Sequence, residues 1–134
     1  MSVIFDGMDQ AKTAIPAQAR SSKTLDGCHK HPVHVMGIMT HGSDVPAEVL
    51  VSDTSVPSDT NYVITILCLT IMDYATRNGF LPSVLYIQAD SASENKSKNF
   101  LLFLAVLVGL RIFDKIKLSY LPVGHTHEDI DQMF

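Results

Sequence analysis

The densest grouping of reactive side chains lies near the end of the chain, in Gly124-His125-Thr126-His127-Glu128-Asp129-Ile130-Asp131. It packs two imidazoles and three carboxylates into one turn and the expected start of a helix. On a helix, Glu128 and Asp131, three apart, lie on one face, and so do His127 and Asp131, four apart. Such a face can hold a cation. The same residues also have a purely structural use, because Thr126 and Asp129 are capping types and acids near a helix N-terminus are favoured by its dipole. Two more carboxylates, Asp6 and Asp90, each close an apolar run. Cys28, His29 and His31 could supply half of a zinc site, but two well-spaced partners are missing. An alternative zinc set would join His125 and His127 to Cys28 or His31.

The elements that must position these groups can be read from periodicity and breakers. Ser2-Val3-Ile4-Phe5 is a β-branched and aromatic run that ends at Asp6-Gly7, a strand leading into a turn. From Ala11 to His31 prolines, serines and scattered cations show little period, and a long loop is expected. Val33 to Thr40 and Glu48 to Ser52 read as a hairpin around His41-Gly42-Ser43-Asp44-Val45-Pro46. The stretch Ser58-Asp59-Thr60-Asn61 offers caps for a helix whose apolar stripe runs from Val63 to Tyr74 and stops at Asn78-Gly79. Ser83 to Gln88 is apolar almost throughout, as a strand buried on both faces should be, and ends at Ala89-Asp90. A second helix is expected from Lys96 to Leu110, with Glu94 and Asn95 at its start and burial on most sides. Lys115 to Leu121 is a last strand, broken by Pro122 just before the His-rich motif.

Composition bounds the rest. With 134 residues, 46% hydrophobic and 18% charged, the chain has apolar material for one core and too little for two. One domain over 1–134 is expected, as a fragment of a longer protein. Cys28 and Cys68 fall in separate segments, which argues against a disulfide framework and for a reducing compartment. Cys68 reads as core. The net charge of -4 gives no general footprint for a polyanion, so contact with nucleic acid would need a local basic patch, bridging metal ions or another domain. The longest apolar run, Phe100 to Leu110, is too short to cross a bilayer, and no membrane partner is expected.

Strand, hairpin, helix, strand, helix, strand and helix start fit an α/β domain with a mixed five-stranded sheet. In that arrangement the first, fourth and fifth strands run side by side in one direction, and Asp6, Asp90 and the 125–131 segment converge at one sheet edge. Carboxylates so close repel unless cations neutralise them, and hard oxygen ligands select Mg2+ or Mn2+. Two such ions suit phosphoryl transfer.

Three segments, Ile4-Phe5-Asp6-Gly7-Met8-Asp9-Gln10-Ala11-Lys12, Tyr86-Ile87-Gln88-Ala89-Asp90 with Glu94-Asn95-Lys96, and Leu121 to Asp131, resemble a transposase-derived domain family of eukaryotic transposon-like proteins. That family is similar to the DDE/D-type, ribonuclease H-like integrase and transposase superfamily. The resemblance implies a ribonuclease H-like sheet of order 3-2-1-4-5 with its C-terminal helix truncated here. It implies Asp6, Asp90 and Asp131 as metal-binding catalytic acids for two Mg2+ or Mn2+ ions, with Glu128 competing for the third place and Asp9 for the first. His125 would stand beside the metals as a donor to a phosphate oxygen or as an orienting partner. The implied activity is cleavage and strand transfer of DNA, in an active copy or in a decayed or domesticated one, and this chain alone is expected to be inactive. DNA would be engaged through additional domains, with a homo-oligomer as a further expected partner and the nucleus as the expected location, otherwise the cytoplasm. The rival expectation is a catalytically silent protein- or nucleic-acid-interaction domain in which Asp6 and Asp90 serve only as turn and cap residues.

Overall fold

The computed structural model describes residues 1–8, 13–15, 29–41 and 47–120. Within them the order is β1 (Ser2–Gly7), β2 (Ala14–Ile15), β3 (His31–His41), β4 (Glu48–Asp53), α1 (Thr60–Asn78), β5 (Val84–Ala89), α2 (Lys98–Gly109) and β6 (Lys115–Tyr120). Among the described residues the fold is α/β, a mixed sheet of six strands with two helices. β1 pairs antiparallel with β3 and parallel with β5, β5 pairs parallel with β6, and β4 pairs antiparallel with β3. The expected five strands become six because β2, inside the stretch expected to be loop, pairs antiparallel with the start of β3. At two residues, in a segment rich in proline and serine, β2 has no apolar period to announce it.

β4, β5 and β6 share one direction, and each crossover steps the same way across the sheet, from β4 to β5 and then to β6. Right-handed crossovers in the same sense place both helices on one face. The core reflects this. Val3 and Phe5 of β1, Met36 and Ile38 of β3, and Leu85, Ile87 and Ala89 of β5 form one cluster with residues of both helices. Phe5 and Phe100 meet edge to face, centroids 6.3 Å apart.

α1 is built as its sequence suggests. The Asp59 carboxylate accepts from the amides of Asn61 (2.8 Å) and Tyr62 (3.1 Å), satisfying donors that the first turn leaves open. Val63, Ile66, Leu67, Thr70, Ile71 and Tyr74 form the buried stripe. Gly79 ends the helix at φ 74°, where a side chain would be strained.

α2 departs from expectation twice. Its cap is Ser97, whose hydroxyl accepts from Phe100 N at 3.1 Å, rather than Glu94 or Asn95. It is also not buried on most sides, since only Phe100, Leu104 and Leu107 are buried while Leu101, Leu102 and Val106 lie exposed. The reason is geometric: a helix lying on a sheet beside one other helix buries a stripe, whatever the polarity of its remaining circumference. Cys68 is likewise half-buried rather than fully in the core, and desolvation pushes its thiol pKa up. Among the described residues no helix is long and apolar enough to cross a membrane.

Candidate functional site at the ends of β1 and β5

Burial of Val3, Ile4 and Phe5 drives β1 through the middle of the sheet, and Leu85, Ile87 and Ala89 do the same for β5. The parallel register pairs Ser2 with Tyr86 and continues to Phe5 with Ala89. One residue further along both chains come Asp6 and Asp90. Neighbouring strands lie about 4.8 Å apart, so the two sequence-predicted acids stand side by side at the end of the sheet. Asp6, still within β1, follows Phe5 of the helix-covered face, whereas Asp90 lies just past the end of β5 and lines a cleft with Ser58 and Val63 on the α1 side. Asp6, opposite Gly37 of β3, is half-buried, and Asp90 is too.

Beyond β5 the chain is tied down by a compact set of bonds. Asp90 Oδ1 accepts from the amide of Ala92 at 3.1 Å, a local turn bond, and from Asn95 Nδ2 at 2.5 Å. The Asn95 carbonyl accepts from the Tyr120 hydroxyl at 2.9 Å, and the Lys96 ammonium lies 5.2 Å from the Tyr120 ring centroid. Thr60 donates to the Ser97 hydroxyl at 2.9 Å, joining the first residue of α1 to the cap of α2. The 90–97 turn is thus held by α1, α2 and β6 together. Asn95 is 5% exposed, and its Oδ1 has no hydrogen-bond donor among the described residues. A buried amide oxygen left unpaired costs about 1–3 kcal/mol.

A cleft of about 100 Å³ opens here, its walls including Gly7, Ser58, Asp90, Glu94 and Asn95. A neighbouring cleft of about 170 Å³ shares Gly7 and Ser58 and adds Met8, His34 and Tyr62. The Ser52 hydroxyl donates to the Tyr62 hydroxyl at 3.0 Å, and the Tyr62 ring lies 6.5 Å from that of His34. His34 comes from β3 and Tyr62 from the first turn of α1, elements that sequence reading treated only as scaffold.

The last residue of β6, Tyr120, is in register with Ala89, the residue before Asp90. His125, Glu128 and Asp131, with His127, Asp129, Cys28 and Asp9, lie outside the described residues. Among the described residues no three His, Cys, Asp or Glu side chains cluster closely enough to hold a metal ion. His31, a candidate zinc ligand, instead bonds Asp53 at 2.6 Å across β3 and β4. Bonds from Ser55 N and from His31 lower the Asp53 carboxyl pKa to about 2.

Residues 23–134 match the family described as "Domain of unknown function (DUF7869)". The chain belongs to this family. Asp90 and the 125–131 motif fall inside the matched segment, whereas Asp6 precedes it. No curated protein matches the chain.

Proposed function

We propose that this member of the DUF7869 family is a transposase-like catalytic domain on a ribonuclease H-like sheet, carrying out two-metal phosphoryl transfer on DNA. The observation that supports this reading most is the parallel pairing of β1 with β5, which sets Asp6 and Asp90 side by side at one sheet end. The pairings β4 with β3, β3 with β1, β1 with β5 and β5 with β6 favour the ribonuclease H-like order. The donor set fits a hard divalent cation: two carboxylates at one end of the sheet. Asp6 and Asp90 would hold Mg2+ or Mn2+, with Asp131 as third ligand and Glu128 as its competitor.

When bound, the ions polarise a phosphodiester and activate the attacking oxygen. The chain's own residues bind and orient. Asp90 is fixed by Ala92 and Asn95, Asp6 is paired with Gly37 of β3, and His125 donates to a phosphate oxygen or orients a neighbour. DNA is engaged in the nucleus with the help of further domains and a second copy. The test is metal-dependent cleavage or strand transfer of DNA by the full protein. Asp6→Asn, Asp90→Asn and Asp131→Asn should each abolish it, and Glu128→Gln should leave a measurable fraction. Cleavage that persists without divalent metal would overturn the mechanism.

The exposed leucines of α2 favour a second reading, a catalytically silent interaction domain on the same fold. It predicts a partner complex that forms equally well in Asp6→Asn and Asp90→Asn.

A further inference from the structure

We infer that Asn95, anchored by Tyr120, is the positioning residue that fixes Asp90 with one carboxylate oxygen engaged and the other presented to a ligand. This rests on the metal-site reading above and adds a residue to it. Both hydrogen bonds that Asp90 takes from described residues fall on Oδ1, from Ala92 N and from Asn95 Nδ2. That leaves Oδ2 as the oxygen with ligand capacity. A carboxylate at a strand end otherwise rotates freely about its terminal bond. A donor that is itself immobile removes that freedom. Asn95 is immobile, since its side chain is 5% exposed and its carbonyl is held by the Tyr120 hydroxyl at 2.9 Å.

The orientation of the amide follows from its partner. An acceptor-only carboxylate requires the NH2 group toward Asp90, which turns Asn95 Oδ1 away and leaves it buried without a donor among the described residues. Asn95 thus serves the site through Nδ2, which sets Asp90. Tyr120 acts only through Asn95. Its hydroxyl meets the backbone carbonyl, and its ring meets the Lys96 ammonium.

Two measurements test this. In the first, Mn2+ affinity is followed by electron paramagnetic resonance in wild type, Asn95→Ala, Tyr120→Phe and the double variant. We expect Kd to rise about tenfold or more in Asn95→Ala and severalfold in Tyr120→Phe, and the double variant to match Asn95→Ala alone. A purely structural role would lower Tm in both variants and leave Kd unchanged, and that result overturns the inference. In the second, metal-free, the Asn95 side-chain NH2 resonance should lie downfield and slow in exchange, and should lose both properties in Asp90→Ala, which removes the acceptor. If it is unperturbed by Asp90→Ala, the clamp is overturned whatever the metal does. If wild type does not bind Mn2+ while the amide signature holds, the clamp stands and the metal-site reading falls.

Discussion

Two leucines two positions apart on α2 should behave as though they belonged to different proteins. Leu104 is 6% exposed within the core cluster, while Leu102 is 64% exposed on the opposite side of the same helix. Leucine and alanine have nearly equal helix propensity, so truncation to alanine reports packing with little helix term. For Leu104→Ala the lost transfer energy and the cavity left between α2 and the sheet should cost about 2–5 kcal/mol. For Leu102→Ala the change should stay within about 0.5 kcal/mol. In a domain of this size each kcal/mol moves Tm by roughly 3–5 °C. Thermal unfolding followed by far-UV circular dichroism should therefore drop by roughly 10 °C in Leu104→Ala and by about 2 °C at most in Leu102→Ala. Leu104→Asp, an unpaired charge in the same place, should not fold at all. Equal shifts for the two alanine variants would refute the one-sided packing of α2, and a folded Leu104→Asp would refute its place in the core.

Other perturbations bear on the frame around the site. Asp59→Ala removes both cap bonds of α1 and should cost about 0.5–2 kcal/mol in urea unfolding, with Asp59→Ser recovering most of it. Gly79→Ala meets no neighbouring atom but must adopt φ 74°, so it should destabilise by about 1 kcal/mol, with Gly79→Asn less affected. The Asp53 carboxyl has a folded pKa lowered from 3.8 to about 2, so its contribution is present above the unfolded value and lost as pH falls through the folded one. The stability difference between wild type and Asp53→Asn should accordingly be constant near neutrality and shrink between about pH 4 and pH 2. A difference that grows toward acid would contradict the sign.

Much of this frame is legible in the residues. The Asp59 cap, the stripe from Val63 to Tyr74 and the Gly79 stop all obey local rules, because a helix end is decided by side chains within a turn of it. Asp6 and Asp90 could be placed because each closes a run too apolar to lie anywhere but mid-sheet. What local rules do not carry is pairing and cover. β2 is two residues held only by β3, and the exposed side of α2 is as apolar as its buried side. Ser97 took the cap from Glu94 and Asn95 because the turn after Asp90 is closed by long-range bonds from Thr60 and Tyr120. The role of Asn95 had one sequence signal, an amide five residues after the carboxylate, which is too common in turns to read without the fold. His34 and Tyr62 gave none, since their approach depends on β3 lying beside α1.

Paramagnetic broadening of backbone amide resonances by Mn2+ tests most directly whether Asp6 and Asp90 form one divalent-cation site. With substoichiometric Mn2+, broadening should centre on Asp6, Gly7, Asp90, Ala92 and Asn95, and should disappear in both Asp6→Asn and Asp90→Asn. Broadening centred instead on His31 and Asp53, or surviving both substitutions, would contradict it.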